Sequence, residues 1–249
     1  MIFFVNGKIG LNILKFLIKN FKKDIKAIVL TKSDILIKDY KKINFYKCKI
    51  ITWEKSINFQ KKLILLKPNK FFLLWWPFIL KKNLLKIPKY DTINTHPSYL
   101  PHYKGKDPNF WSILNNGPYG VSIHKAIIKI DSGNILFQKK INKIDHTIDA
   151  RRLYKINEVE IVKLFKNKYK ILRKNNFTKF RINKKTKIHI RNDMIKVSKI
   201  NLNKLYKAEY LINLMRAKNF PPNNLANSIV SFFTAPSNEP ESTCSRVGK

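Results

Sequence analysis

Residues 70–96 read KFFLLWWPFILKKNLLKIPKYDTINTH. Lys70 to Trp75 carries a continuous apolar run, the pattern of a central parallel strand covered on both faces. Lys81 to Lys86 fits a short helix, and Asp91 to Thr95 then re-enters the sheet. A strand, a helix and a strand at this spacing imply a right-handed crossover and a parallel sheet.

The same alternation extends toward the N-terminus. Ile2 to Val5 is a short apolar strand that stops at Asn6-Gly7, and a helix follows with Leu14, Leu17, Ile18 and Phe21 on one face. Asp24 to Leu30 contains the strand AIVL, Phe45 to Thr52 is a weaker third strand, and residues 54–66 form a helix ending before Pro68. In open sheets of this kind ligands sit at the carboxyl ends of the strands. Asn6-Gly7, Trp76-Pro77 and Asn94-Thr95-His96 all fall there.

Beyond a loop at 97–107, a helix is expected near Pro108 to Asn115, with strands over Val121 to Lys125 and Ile135 to Ile141. Thr147 is the expected cap of a long helix with Leu153, Ile156, Val159, Val162 and Phe165 on one face. Residues 173–200 are basic and alternate as short strands would. Leu205, Ala208, Leu211, Ile212 and Met215 mark a last amphipathic helix that ends before Pro221-Pro222. The fold class is therefore α/β, a Rossmann-like and mostly parallel sheet with a small α+β C-terminal appendage. The expected units are residues 1–180 as the catalytic domain, 181–235 as a small C-terminal subdomain, and 236–249 as a disordered tail poor in apolar residues.

Composition narrows the function. In 249 residues, 51 Lys+Arg face 15 Asp+Glu, a formal net charge of +36. Such a charge suits a polyanionic partner. The lysines are spread over the whole chain, as an AT-rich coding sequence would also produce. Two distant cysteines, Cys48 and Cys244, make neither a disulfide framework nor a metal cluster, and no metal is expected. The apolar run at Phe71 to Leu80 is too short to span a bilayer and MIFFVNGKIG lacks the basic region of a signal peptide, so a cytoplasmic protein without membrane contact is expected.

Chemistry concentrates after the fifth strand. Asn94 and His96, two residues apart, point to one face of a strand. The amide can donate to a developing oxyanion and the imidazole can move a proton near neutral pH. A carboxylate such as Asp131 can orient that imidazole and stabilise its charged form. His124, on a predicted strand, is either structural or near the site. The stretch NTHPSYLPHYKGKDPNFWSILNNGPYGVSIHKAIIKIDSGNILFQKKI, residues 94–141, resembles the core of the folate-dependent formyltransferase family. It holds, in order, N-x-H, P-S-x-L-P, a basic-Gly pair, a Pro-started helix with Trp, G-V-S-I-H and D-S-G.

The resemblance implies that Asn94 bonds the formyl oxygen, that His96 manages the proton of the attacking amine, and that Asp131 supports His96. It implies 10-formyltetrahydrofolate as donor, its pterin in a pocket of Trp76, Phe78, Ile79 and Leu80 with Ile127 and Ile130 opposite. Gly7, Ser98, Lys104 and Gly105 are the implied acceptor contacts. Lys104 stands where the family often has Arg, which keeps the charge but loses a bidentate grip.

Three functional readings stay open, two of them differing in the acceptor. Leu214 to Pro222, LMRAKNFPP, is similar to the closing segment of many sugar N-formyltransferases, which favours a nucleotide-linked amino sugar and a homodimer. Methionyl-tRNA formyltransferase activity is the alternative, although little sequence follows residue 180 for an OB-like tRNA domain. The alternative of another class is a non-catalytic, basic nucleic-acid-binding protein on the same scaffold. For the tail, a chain ending at Ala235 is expected to fold and turn over like the full-length protein. A large drop in melting temperature on that truncation would show the tail to be packed.

Overall fold

The computed structural model describes residues 1–34, 37–42, 48–142, 144–174, 186–201 and 203–220. The expected tail at 236–249 lies outside the described residues, as does the segment 221–235. The elements in chain order are β1 (Ile2–Val5), α1 (Gly7–Phe21), β2 (Ala27–Leu30), α2 (Ile37–Lys42), β3 (Lys49–Thr52), α3 (Ile57–Leu65), β4 (Lys70–Leu74), α4 (Lys82–Leu85) and β5 (Asp91–His96). There follow β6 (Lys104–Gly105), α5 (Pro108–Leu114), β7 (Gly120–Lys125), β8 (Ile135–Lys140), α6 (Ala150–Leu172), β9 (Ile188–His189), α7 (Arg191–Val197) and α8 (Ala208–Lys218).

Seven strands form one sheet in the order β3-β2-β1-β4-β5-β7-β8. The first five run parallel, and β7 and β8 are antiparallel to their neighbours. Every residue of β1, β2 and β4 is buried, because helices cover both faces. On one face Phe3 stacks on Phe72 at 5.1 Å, and both pack with Ile13, Leu17, Phe165 and Tyr169 of α1 and α6. On the other, Phe4 and Phe71 meet edge to face at 5.1 Å beside Phe59, Leu63 and Leu84. The alternation along β1 and β4 thus assigns neighbouring aromatics to opposite layers.

Residues 186–220 share a third core with the main domain. Leu214 and Ala217 of α8 pack against Phe110, Trp111 and Ile113 of α5 and Leu153 of α6. β9 pairs parallel with β6, placing Ile188 beside Lys104 and His189 beside Gly105. Asn157 of α6 donates to Asn109 Oδ1 at 2.7 Å and to the Pro97 carbonyl at 3.2 Å, fixing the loop that follows β5.

Three local expectations change. The cap of α6 is Asp149, whose Oδ1 accepts from Arg152 N at 2.7 Å, while Thr147 turns to Asp145. A carboxylate closer to the first turn outcompetes the upstream hydroxyl. Past residue 186, alternation yields only the two residues of β9. A helix follows because Asp193 Oδ2 accepts from Ile190 N at 3.1 Å and Met194 and Val197 pack on the third core. The strands expected over 175–185 lie outside the described residues. In α8 the buried side chains are Asn213, Leu214 and Ala217, whereas Ile212 and Met215 face outward with Leu205. Arg216 sets that rotation by donating to the Ile148 carbonyl at 2.8 Å and to Asn213 Oδ1 at 2.7 Å.

Asp149 also accepts from Asn219 Nδ2 at 2.6 Å, so one carboxylate caps α6 and holds the end of α8. Asp149→Ala is expected to destabilise the protein by about 1–2 kcal/mol in urea titration. An unchanged unfolding midpoint would deny the cap that role.

Candidate functional site

The site is built at the carboxyl ends of β4 and β5. Thr95 Oγ1 donates to the Leu73 carbonyl at 3.1 Å and accepts from Trp75 N at 3.0 Å, tying the two strand ends together. Trp75 there takes a left-handed conformation, φ +59°. The turn sends the two tryptophans to different partners. Trp75 Nε1 donates to Tyr154 Oη at 3.1 Å, while Trp76 packs edge to face on Phe4 at 5.3 Å and on Trp53 at 5.5 Å.

The reversal at β7 supplies the next group. Antiparallel register sets Asn94 opposite His124, and Asn94 Nδ2 lies 3.1 Å from His124 Nε2. His124 Nδ1 contacts the Lys125 carbonyl at 3.0 Å and must donate there, since a carbonyl only accepts. His124 Nε2 therefore accepts from the amide, a role assigned from the partners. The second amide hydrogen of Asn94 is left for the cavity.

The loop after β7 returns Asp131 to the same place. Gly133 permits it, because a Cβ there would run into the Lys125 carbonyl. Asp131, at φ +46°, accepts from Gly105 N at 2.8 Å. Its Oδ2 lies 3.4 Å from His96 Nδ1 and its Oδ1 lies 3.4 Å from His124 Nε2. His96 Nε2, 3.1 Å from the Tyr103 carbonyl, must donate to it, so Nδ1 is the ring position open to a proton. Burial, aided by the neighbouring His124, pushes the His96 imidazole below its ordinary value, against the opposing pull of Asp131. Burial alone would raise Asp131, but His96, His124 and the Gly105 amide hold its carboxyl well below the usual carboxylate range. The two directions together favour the charge on the carboxylate over the charge on the ring.

These groups open onto a cavity of about 690 Å³, within the range of small-molecule sites. Asn94, His96 and Asp131 line it, and so do Trp76, Phe78, Ile79, Leu80, Ile127 and Ile130. Trp76 Nε1 is buried with no hydrogen-bond partner among the described residues, and Phe78 stacks on Trp53 at 5.7 Å. Gly105 lines the cavity as well. Gly7, Ser98 and Lys104 are not among its lining residues. Gly7 N donates instead to Asp34 Oδ2 at 2.9 Å, Ser98 Oγ to the His102 carbonyl at 2.7 Å, and Lys104 is buried in β6.

Further lining comes from Tyr154, His189 and Arg191, which no motif marks, and from Lys218 and Phe220 of the LMRAKNFPP segment. They come from several elements, so periodicity within any one of them carries no signal. His124, left open by its sequence position, touches both Asn94 and Asp131.

Residues 41–185, more than half of the chain, match the family described as Formyl transferase. The bifunctional polymyxin resistance protein ArnA of Wigglesworthia glossinidia brevipalpis is 38% identical over 109 residues, 42% of this chain and 16% of that protein. A methionyl-tRNA formyltransferase of Prochlorococcus marinus (strain MIT 9312) is 35% identical over 131 residues, 51% of this chain and 40% of the relative. The chain thus spans two fifths or less of the length of these two curated relatives. A sugar N-formyltransferase structure from Shewanella sp. superposes with a TM-score of 0.76 at 20% identity, covering 90% of this chain and 89% of that one, which shows the fold. An N-formyltransferase from Helicobacter canadensis, solved with folinic acid and dTDP-3-aminofucose, gives a TM-score of 0.69 at 27% identity over 88% of this chain and 80% of that one.

The folded-state pKa of Asp131 lies below its unfolded value of 3.8, so its stabilisation is present above about that pH and is lost as pH falls. Asp131→Asn is expected to be less stable than the parent by on the order of 1–3 kcal/mol near neutral pH. That deficit should shrink progressively below about pH 4. Chemical denaturation over a pH series reads it, and equal stability at pH 7 would contradict the assignment.

Proposed function

The chain belongs to the formyl transferase family, and we propose that it moves a formyl group from 10-formyltetrahydrofolate to the primary amine of a nucleotide-linked amino sugar. The observation that carries this reading is the convergence of Asn94, His96 and Asp131 on one wall of an apolar cavity. Trp76, Phe78, Ile79, Leu80, Ile127 and Ile130 fit a flat heteroaromatic ring, and the unpartnered Trp76 Nε1 offers it a donor. The donor supplies the formyl carbon that the amine attacks.

The residues of the chain do the rest. Asn94 aims its second amide hydrogen at the formyl oxygen, where negative charge develops. His124 holds the amide in that orientation. Neutral His96 accepts the amine proton at Nδ1, and the carboxylate of Asp131 stabilises the resulting imidazolium. The same proton is then available to the departing nitrogen. Hydrophobic walls exclude water, which favours the amine over hydrolysis.

For the acceptor, support comes from the Helicobacter canadensis enzyme solved with dTDP-3-aminofucose, which matches most of both chains. A second reading, charged initiator tRNA, is favoured by the Prochlorococcus relative and by the net charge of +36. Only about half of this chain takes part in that match. Evenly spread charge raises encounter rate and non-specific affinity rather than selecting a substrate.

His96→Ala is expected to lower turnover at least about a hundredfold, the effect of losing a proton-transfer group. The parent enzyme, assayed with the formyl-folate donor, should show far higher kcat/KM for amino-sugar nucleotides than for methionyl-tRNA. Near-parental activity of His96→Ala would remove that residue from the mechanism. Initiator tRNA as the best acceptor at physiological salt would reassign the substrate.

A further inference from the structure

A second charged cluster lines the cavity apart from Asn94, His96 and Asp131. Lys106 and Asp107 follow Gly105, Arg191 opens α7 and Lys218 closes α8, and all four line the cavity. Arg191 Nη1 lies 3.0 Å from Asp107 Oδ1. The other oxygen, Oδ2, is buried with no hydrogen-bond partner among the described residues. Burial first, and then the nearby Arg191 charge, lowers the Lys218 ammonium, while Asp107 pulls the other way. Three cations thus meet one carboxylate, and two formal positive charges stay uncompensated in the cavity wall.

From this we propose that Lys106, Arg191 and Lys218, organised around Asp107, form the subsite that takes the diphosphate of the acceptor. The inference rests on the nucleotide-sugar reading above and names the residues that would recognise it. Like charges gathered at one wall repel, most of all at the part-buried Lys218, and an anion between them removes that penalty. A guanidinium already oriented by a carboxylate loses less freedom when it grips phosphate oxygens. Asp107 Oδ2 remains to accept a hydrogen bond from a hydroxyl of the ligand.

Two placements support this location. Gly105 N is bonded to Asp131, and Asp107 follows only two residues later. Two residues span at most about 7 Å, so the diphosphate subsite lies within roughly one sugar ring of the reacting groups. The other anion site a βα fold of this kind offers is the N-terminus of α1. There Gly7 N is already bonded to the Asp34 carboxylate, and a diphosphate would meet a like charge.

The test uses the full-length protein and the variants Arg191→Ala, Arg191→Lys and Lys218→Met, with Lys62→Met on α3 as a surface-charge control. Calorimetric titration with dTDP and UDP is paired with steady-state kinetics on the amino-sugar nucleotide that the parent formylates best. Arg191→Ala and Lys218→Met are each expected to weaken nucleoside diphosphate binding and raise the acceptor KM about tenfold or more, the value of one charge-assisted hydrogen bond. Turnover at saturation and affinity for 5-formyltetrahydrofolate should stay within about twofold, since neither residue adjoins the groups that act on the formyl carbon. Arg191→Lys should recover part of the affinity and Lys62→Met should change nothing. If the parent formylates a nucleotide sugar but both cavity variants keep the parental KM, the subsite is wrong and the acceptor class stands. If the parent neither binds a nucleoside diphosphate nor formylates a nucleotide sugar, the acceptor class and the subsite fall together.

Discussion

The Asp131 carboxylate joins segments that are far apart in the chain. Its two oxygens face His96 at the end of β5 and His124 on β7, and one of them also accepts from Gly105 on β6. Burial makes such a carboxylate costly unless its lone pairs are met. Here the Gly105 amide donates to one oxygen and a histidine ring lies 3.4 Å from each, so the placement of the carboxylate becomes a constraint on where three strands end. The geometry of the candidate site and the local fold are therefore one arrangement. The loop that carries Asp131 closes only because Gly133 lets the backbone approach Lys125.

That arrangement also divides the labour of the site. Asn94 gives one amide hydrogen to His124 and keeps one for the cavity. His96 is fixed through Nε2 by a backbone carbonyl and left basic at Nδ1. In the proposed reaction neither group has to reorganise as charge develops, which is the condition under which fixed dipoles stabilise a transition state most. On the opposite side, Trp76 and Phe78 extend the aromatic layer that begins inside the sheet with Phe4. The proposed donor wall is in this sense an exposed edge of the core.

The C-terminal part of the chain completes the cavity rather than standing apart from it. α8 buries Leu214 and Ala217 against α5, β9 pairs with β6, and this brings Arg191, Lys218 and Phe220 to the cavity. The net charge of +36 is spread along the sequence, yet only a few of those cations line the cavity, where Lys106, Arg191 and Lys218 gather near Asp107.

The sequence by itself determined the parallel sheet and the location of its reactive edge. Strands buried on both faces must read as unbroken apolar runs, as β1, β2 and β4 do, and a period of two puts Asn94 and His96 on one side of β5. Helix caps and faces were less legible. Asp149 displaced Thr147, and α8 turned Ile212 and Met215 outward because Arg216 anchors it to Ile148. Only the tertiary structure decided that His124 stands opposite Asn94, that Asp131 reaches both histidines, and that Arg191 and Lys218 meet Asp107. Local periodicity encodes which face a residue takes within its own element. Which elements then face one another depends on packing between segments more than a hundred residues apart, and no single stretch of sequence contains that information.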